Sequence, residues 1–185
     1  MTKYFFPTLS NNRLTLREYN TNDIDAYFKL MSNSSAIKYY REPIKHLSDV
    51  SKEFNSDKMR RDNNEAIRWA ITLSSQNEFI GTIDLYNINL VKKIATLGCA
   101  VSPNYQHKHI GHEAITLVMK YTFENLDINR IQLFVNPENT QAIKTYIRIG
   151  FIQEGLLREY EFNGNTHNDM LVFSLLKKDF ILRNH

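Results

Sequence analysis

The chain opens with period-two alternation: in "RLTLRE", Arg13 to Glu18, Leu14 and Leu16 stand between polar neighbours, as a half-buried strand requires. The period then lengthens. "TNDIDAYFKLMSN" places Ile24, Tyr27, Phe28 and Met31 at helical spacing, with acids in the first turn and Thr21 or Asn22 as the expected N-cap. A second, more polar helix is expected over Ser48 to Arg61. Three β-rich runs follow, "AIRWAITL", "FIGTIDLYNI" and "IATLGCAV", joined only by the short connectors "SSQNE" and "NLVKK", which predicts antiparallel neighbours.

From His112 to Leu126 the helical period returns. Ile115, Val118, Met119, Thr122 and Leu126 share one side, with Glu113, Lys120 and Glu124 opposite. "RIQLFV" reads as the next strand and Thr140 to Ile149 as a helix stopped by Gly150. "FIQEGLLREYEF" and "HNDMLVFSLL" then form a last hairpin turning at "NGN". The fourth and fifth strands of this reading, "IATLGCAV" and "RIQLFV", flank a helix and should pair in parallel. The expected fold class is α+β: a mixed, mostly antiparallel sheet flanked by helices.

With 185 residues, no internal repeat and no low-complexity linker, the chain is expected to form one domain over residues 1–185. Its 42% apolar and 12% aromatic content argues against disorder. A net charge of +3 is too small to imply an extended nucleic-acid surface, although it leaves room for a local anionic ligand. The single cysteine, Cys99, excludes an internal disulfide. The first residues lack the apolar core of a secretion signal, and no run approaches the roughly 18 apolar residues of a membrane span. The expectation is a cytoplasmic protein with neither a nucleic-acid nor a membrane partner.

Candidate chemistry concentrates in "QHKHIGHEAI", residues 106 to 115. The stretch joins a strand ending near Val101 to a helix starting near Gly111 or His112, so main-chain N–H groups converge where a helix carries partial positive charge. That combination favours phosphate. Gln106, His107, Lys108, His109, Ile110, Gly111 and His112 are the candidate binding residues. A metal site on His107, His109 and His112 would need imidazoles converging with a further ligand, and Glu113 should face outward. Nucleic acid is disfavoured because no aromatic residues interleave with the basic ones. A plain surface loop remains the alternative. Asn139, Ala142 and Tyr146, at i, i+3 and i+7, form a second constellation within an arc of about 60° on one helix face.

"SPNYQHKHIGHEA", "NPENTQAIKTYIRIGF" and "EGLLREYEFNGNTHNDMLVFSLL" together resemble the GNAT superfamily of acetyl-CoA-dependent N-acetyltransferases. The branch is that of ribosomal-protein N-terminal acetyltransferases and the diamine and spermidine N-acetyltransferases. The resemblance runs from "RLTLREYNTNDIDAYFKLM" to Phe180. The family's loop, Gln/Arg-x-x-Gly-x-Gly/Ala, cradles the coenzyme A pyrophosphate. Gln106 and Gly111 match it, His109 stands where glycine is usual, and His107 where glycine is frequent. A histidine at such a position must take glycine's backbone geometry or re-route the chain. The family pattern Asn-x-x-Ala-x-x-x-Tyr-x-x-x-Gly-Phe is matched in full by Asn139, Ala142, Tyr146, Gly150 and Phe151.

The resemblance implies that Tyr146 is the general acid toward the departing thiolate. It also implies that the fourth and fifth strands splay, turning the backbone of Cys99, Ala100 and Val101 toward the pantetheine arm, with Cys99 a wall residue and transfer direct. Several relatives carry a glutamate base where this chain has Thr96; Asp84, Asp169 and a water chain are the candidates instead. The acceptor cleft should form from residues 31–62 and the final hairpin, with Tyr39 and Tyr40 as candidate lining. There "IKYYREPIKHLSDVSKEF" mixes Lys38, Arg41 and Lys45 with Glu42, Asp49 and Glu53, which disfavours a strongly cationic substrate. The implied activity is acetyl transfer from acetyl-CoA to a primary amine, first a protein or peptide N-terminus, then spermidine, a diamine or another small amine. A non-catalytic acyl-CoA sensor of the same fold and a small-molecule or antibiotic-modifying acetyltransferase are the remaining alternatives. No metal is expected, and a homodimer is left open.

Overall fold

A computed structural model describes residues 6–162 and 166–183. Its centre is an eight-stranded sheet in the order β1-β2-β3-β4-β5-β6-β8-β7. The strands are β1 (Leu9–Ser10), β2 (Leu14–Arg17), β3 (Ile67–Leu73), β4 (Phe79–Asn89), β5 (Ile94–Val101), β6 (Arg130–Val135), β7 (Ile152–Phe162) and β8 (His167–Leu176). The helices are α1 (Ile24–Met31), α2 (Leu47–Asp62), α3 (Ile110–Asn125), α4 (Thr140–Ile149) and α5 (Lys177–Arg183). The two-residue strand β1 is too short to leave a periodic signal. Its presence renumbers the sheet, so the parallel pair is β5/β6 rather than β4/β5. The "NGN" turn lies outside the described residues.

Period-two alternation works as the pattern requires. Leu14 and Leu16 are fully buried, and so are Trp69 and Ile71 on β3, which join α3 in the larger core. From α3 that core takes Ile110, Ala114, Ile115, Val118, Met119 and Phe123. The opposite face of the sheet carries Ala70, Phe79 and Ala100 against Tyr27, Leu30 and Met31 of α1 and Val50 of α2. The sheet is thus sandwiched, and burial of the large aliphatic and aromatic side chains at about 1.5–3 kcal/mol each holds the layers together.

Local termini depart from the sequence reading in two places. The cap before α1 is Asn20, not Thr21 or Asn22: a 3-10 turn at Thr21–Asp23 precedes the helix, and Asn20 and Asp23 cap each other reciprocally. Helix α3 begins at Ile110, one or two residues earlier than expected, with His109 at its N-cap in the left-handed conformation.

The feature that positions the site is a wedge. β5 and β6 are paired only at Ile94↔Arg130, Ala95↔Ile131 and Thr96↔Gln132. Beyond Thr96 the strands part. β5 continues against β4 as far as Val101, and β6 continues against β8 as far as Val135.

Candidate active site

A cleft of about 940 Å³ runs through this wedge. Its walls are β5 from Leu97 to Val101, the loop and first turn of α3, and one side of α4. Gln106, His107, His109, Ile110, Gly111 and His112 line it from the loop and α3, and Asn139, Ala142 and Tyr146 line it from α4. The two sequence constellations therefore meet across one space, as does the β5 segment Cys99, Ala100 and Val101.

The loop keeps glycine geometry without glycine. His107 has φ 59° and His109 φ 62°, both left-handed, so the histidines adopt the backbone that the resemblance assigns to glycine instead of re-routing the chain. No side chain caps α3 at His109, which leaves its first-turn N–H groups for a ligand. At Gly111 a Cβ would meet only Val101 Cγ2, at 3.9 Å, so the space over it is open cleft. Both observations fit an anion lying against this turn.

Two of the expected loop residues do other work. Gln106 donates its amide to the carbonyl of Val101 at 3.0 Å, pinning the loop to the end of β5. Lys108 is outside the cleft lining: its ammonium lies 5.4 Å from the centre of the Tyr105 ring, and its carbonyl accepts from Arg13 at 2.9 Å. Glu113, expected to face outward, turns back to Arg13 at 2.7 Å and Asn11 at 3.2 Å. The histidines do not converge, and among the described residues no three His, Cys, Asp or Glu side chains gather as a metal site would require. Burial, then Arg148 and His109, hold the His112 imidazole below its ordinary range.

On α4 the Asn139 side chain accepts from the Ala142 N–H at 3.2 Å, so it caps the helix whose face it shares. Tyr146 is half-buried against Phe151 and Phe173. Burial raises its phenol well above the ordinary value, with Cys99 and Tyr86 adding to the rise. Burial, then the Asp84 carboxylate, push the Cys99 thiol up to about 12. A thiol so held is protonated and a poor nucleophile, in keeping with a wall residue.

A family profile described as an acetyltransferase (GNAT) domain matches residues 13–152. The chain belongs to the GNAT acetyltransferase family. It is a GNAT N-acetyltransferase using acetyl-CoA, and the GNAT fold expected from the motifs is the one observed. It is 34% identical over 94% of its length to an uncharacterized N-acetyltransferase, p20, of Bacillus licheniformis, 98% of which is covered. The structure of the Vibrio cholerae spermidine N-acetyltransferase with CoA and spermine superposes with a TM-score of 0.83 at 26% identity, covering 92% of this chain and 99% of that one. The ribosomal L7/L12 alpha-N-protein acetyltransferase RimL, solved with coenzyme A, shares the fold at a TM-score of 0.85 and 18% identity, over 92% and 98% of the two chains.

In this GNAT chain the end of the cleft away from the histidine loop is lined by Tyr40, Arg68, Asp84, Tyr86, Tyr160 and Glu161, among others. Asp84 is 6% exposed and accepts from the Tyr40 hydroxyl at 2.7 Å. Asp169, the other candidate base, is not in the lining; it accepts the N–H of Glu159 at 2.8 Å and so stabilises a bulge of β7. Thr96 is sealed in the sheet at 2% exposure. The sequence reading missed several lining residues. Gln141, Thr145 and Arg148 form a polar stripe at i, i+4 and i+7 beside Ala142 and Tyr146, a spacing visible in the sequence. Arg68 was also visible, as a charged residue inside an otherwise apolar strand.

Proposed function

We propose that the chain acetylates the α-amine at a protein or peptide N-terminus. The observation that carries this reading is the continuation of the acceptor end. A second hollow of about 160 Å³ shares Tyr39, Tyr40, Arg41, Glu42 and Glu161 with the main cleft and adds Lys38, Asn136, Glu138, Phe162 and Asn168. An amine held near Asp84 would leave a following peptide along a groove of mixed charge and amide side chains, which suits main-chain and varied side-chain contacts. A peptide α-amine, with a pKa of about 7.7–8.0 against about 10.4 for a lysine-like amine, also asks less of a base.

Arg41 is taken up by Glu53 at 2.6 Å and Lys38 by Glu138 at 3.2 Å. Those ion pairs, with Asp84, Glu42 and Glu161 in the lining, favour a second reading, a di- or polyamine acceptor. The named substrate of the Vibrio cholerae relative supports the same alternative. In either case the amine attacks the thioester carbonyl, main-chain groups at Cys99 to Val101 are available to the developing oxyanion, and Tyr146 protonates the departing thiolate. A phenol kept neutral by burial remains loaded with the proton it must give.

Release of free thiol from acetyl-CoA, measured against peptides with free and blocked N-termini and against spermidine and diamines, tests the proposal. Turnover with free N-termini that is lost on blocking is expected. Turnover confined to spermidine and diamines would overturn the peptide reading.

A further inference from the structure

An amine that arrives protonated must lose a proton beside the thioester, and Thr96, where the strands part, is neither acidic nor accessible. The neighbouring strand supplies a carboxylate. Arg68, Asp84 and Gly98 are directly opposite one another across β3, β4 and β5, so they point to the same face of the sheet, the one covered by α1 and α2. In that row Gly98 stands between Asp84 and the wedge. A Cβ built on Gly98 would lie 2.7 Å from Asp84 Oδ1 and 3.2 Å from Tyr40 Cε2. The missing side chain is what lets the carboxylate and its tyrosine lie over β5.

We propose that Asp84 is the proton acceptor of the acetyl transfer, admitted to the wedge by the bare backbone of Gly98 and aimed by Tyr40 as a positioning residue. This rests on the amine-acetylation reading above, whichever amine is used. Tyr40 occupies Oδ1 at 2.7 Å. Oδ2 receives no hydrogen bond from the described residues, yet Arg68 Nε is the sealed, unpartnered side-chain atom among them, so Oδ2 keeps access to the cleft. Arg68 forms its ion pairs with Asp57 at 3.0 Å and Glu53 at 3.9 Å, so it supplies Asp84 with nearby positive charge without a direct contact. Asp84 is therefore a carboxylate with one oxygen anchored and one presented.

The proton count closes. The ammonium gives one proton to Asp84 Oδ2, and the freed lone pair forms the C–N bond at the thioester carbonyl. Collapse of the tetrahedral centre breaks C–S, and Tyr146 protonates the thiolate. The second surplus proton on nitrogen replaces the one that Tyr146 gave, and Asp84 returns its proton to water in the open cleft. The sum is ammonium plus thioester giving amide, thiol and one released proton.

The charged and titratable neighbours of Asp84 are Tyr40, Arg68 on β3, Asp57 on α2, Tyr86 on β4 and Cys99 on β5. Tyr40, Tyr86 and Cys99 all have raised values and stay protonated between pH 6 and 8, while Arg68 stays charged. Asp57 is raised by burial and in part by Asp84 itself, so loss of the Asp84 charge can only lower it.

The test compares wild type, Asp84→Asn and Tyr40→Phe from pH 6 to 8, each with the amine that wild type acetylates best. Asp84→Asn should lower kcat by about a hundredfold, the low end for loss of a general base, with coenzyme Kd unchanged by calorimetry. Without the carboxylate only pre-neutralised amine reacts, so its kcat/KM should fall tenfold per pH unit below the amine's own pKa, whereas wild type should stay flat. Tyr40→Phe should reduce kcat severalfold while keeping the flat profile, which loss of general packing would not single out. Asp84→Asn sharing the wild-type pH profile, or Tyr40→Phe retaining full kcat, overturns the proposal. Preference of wild type for spermidine would instead overturn the peptide reading and leave this comparison intact.

Discussion

Replacing His109 by glycine should make the protein more stable. At φ 62° and ψ 8° the residue sits in left-handed backbone, which costs an L-residue about 1–2 kcal/mol. Glycine removes that cost but adds roughly 0.5–1 kcal/mol of unfolded-chain freedom. The imidazole is exposed, so little packing is lost. The balance favours glycine by about 0.5–1 kcal/mol, which for a chain of this size raises Tm by about 1–4 °C. His109→Ala keeps the φ demand and gains nothing, so the pair separates backbone from imidazole. Because the loop already holds glycine geometry, its main-chain donors do not move. Coenzyme Kd should therefore weaken by no more than about tenfold, the ceiling set by one side-chain hydrogen bond of about 0.5–1.5 kcal/mol. Scanning calorimetry and titration of coenzyme A into the three proteins read both quantities. A glycine variant melting at or below the alanine variant would refute the backbone argument, and one binding coenzyme far more tightly would show that the histidine had been distorting the loop.

Three further outcomes follow from the geometry. Tyr146→Phe should cut kcat by about a hundredfold or more while coenzyme affinity holds. Since burial raises the phenol, wild-type kcat should not decline between pH 8 and 10; a decline there that vanishes in the phenylalanine variant would contradict the acid role. Arg130 grips Glu154 at 2.7 and 2.5 Å and Ser174 adds 2.7 Å, which holds that carboxyl down at about 2. A depressed folded pKa means stabilisation present above about 4.5 and lost as pH falls toward about 2. Glu154→Gln should then cost about 0.5–1 kcal/mol at pH 7, the range for a solvent-screened pair, with the gap to wild type closing across that window in acid denaturation curves. Gly150→Ala should lower Tm by several degrees: φ is 115°, and a Cβ would stand 2.8 Å from Arg183 Nε, a flexible neighbour, leaving backbone strain of about 1–2 kcal/mol as the main cost.

Much of this was readable from periodicity. The alternation at Leu14 and Leu16 and the run from Ile115 to Thr122 became core positions, because burial of one face is what the pattern encodes. The shared face of Asn139, Ala142 and Tyr146 did reach one cleft. Asn20 escaped notice because a 3-10 turn displaced the cap by one residue. That Lys108 stands beside the Tyr105 ring and outside the cleft lining is a placement that local spacing does not encode. Asp84 and Asp169 looked equivalent as isolated carboxylates. What separates them is long-range: Tyr40 and Gly98 meet one inside the cleft, while the other closes a bulge in its own hairpin.

The parting of β5 from β6 after Thr96 also bears on how the molecule endures without its donor substrate. Two wings of the sheet, five strands and three, share a seam of only three residue pairs, and the rest of that seam is open edge. A ligand lying in it acts as mortar. At a hundredfold excess over its Kd such a ligand adds about 2.7 kcal/mol to the folded state. Saturating acetyl-CoA should therefore raise the Tm, a shift that scanning calorimetry with and without the coenzyme reads.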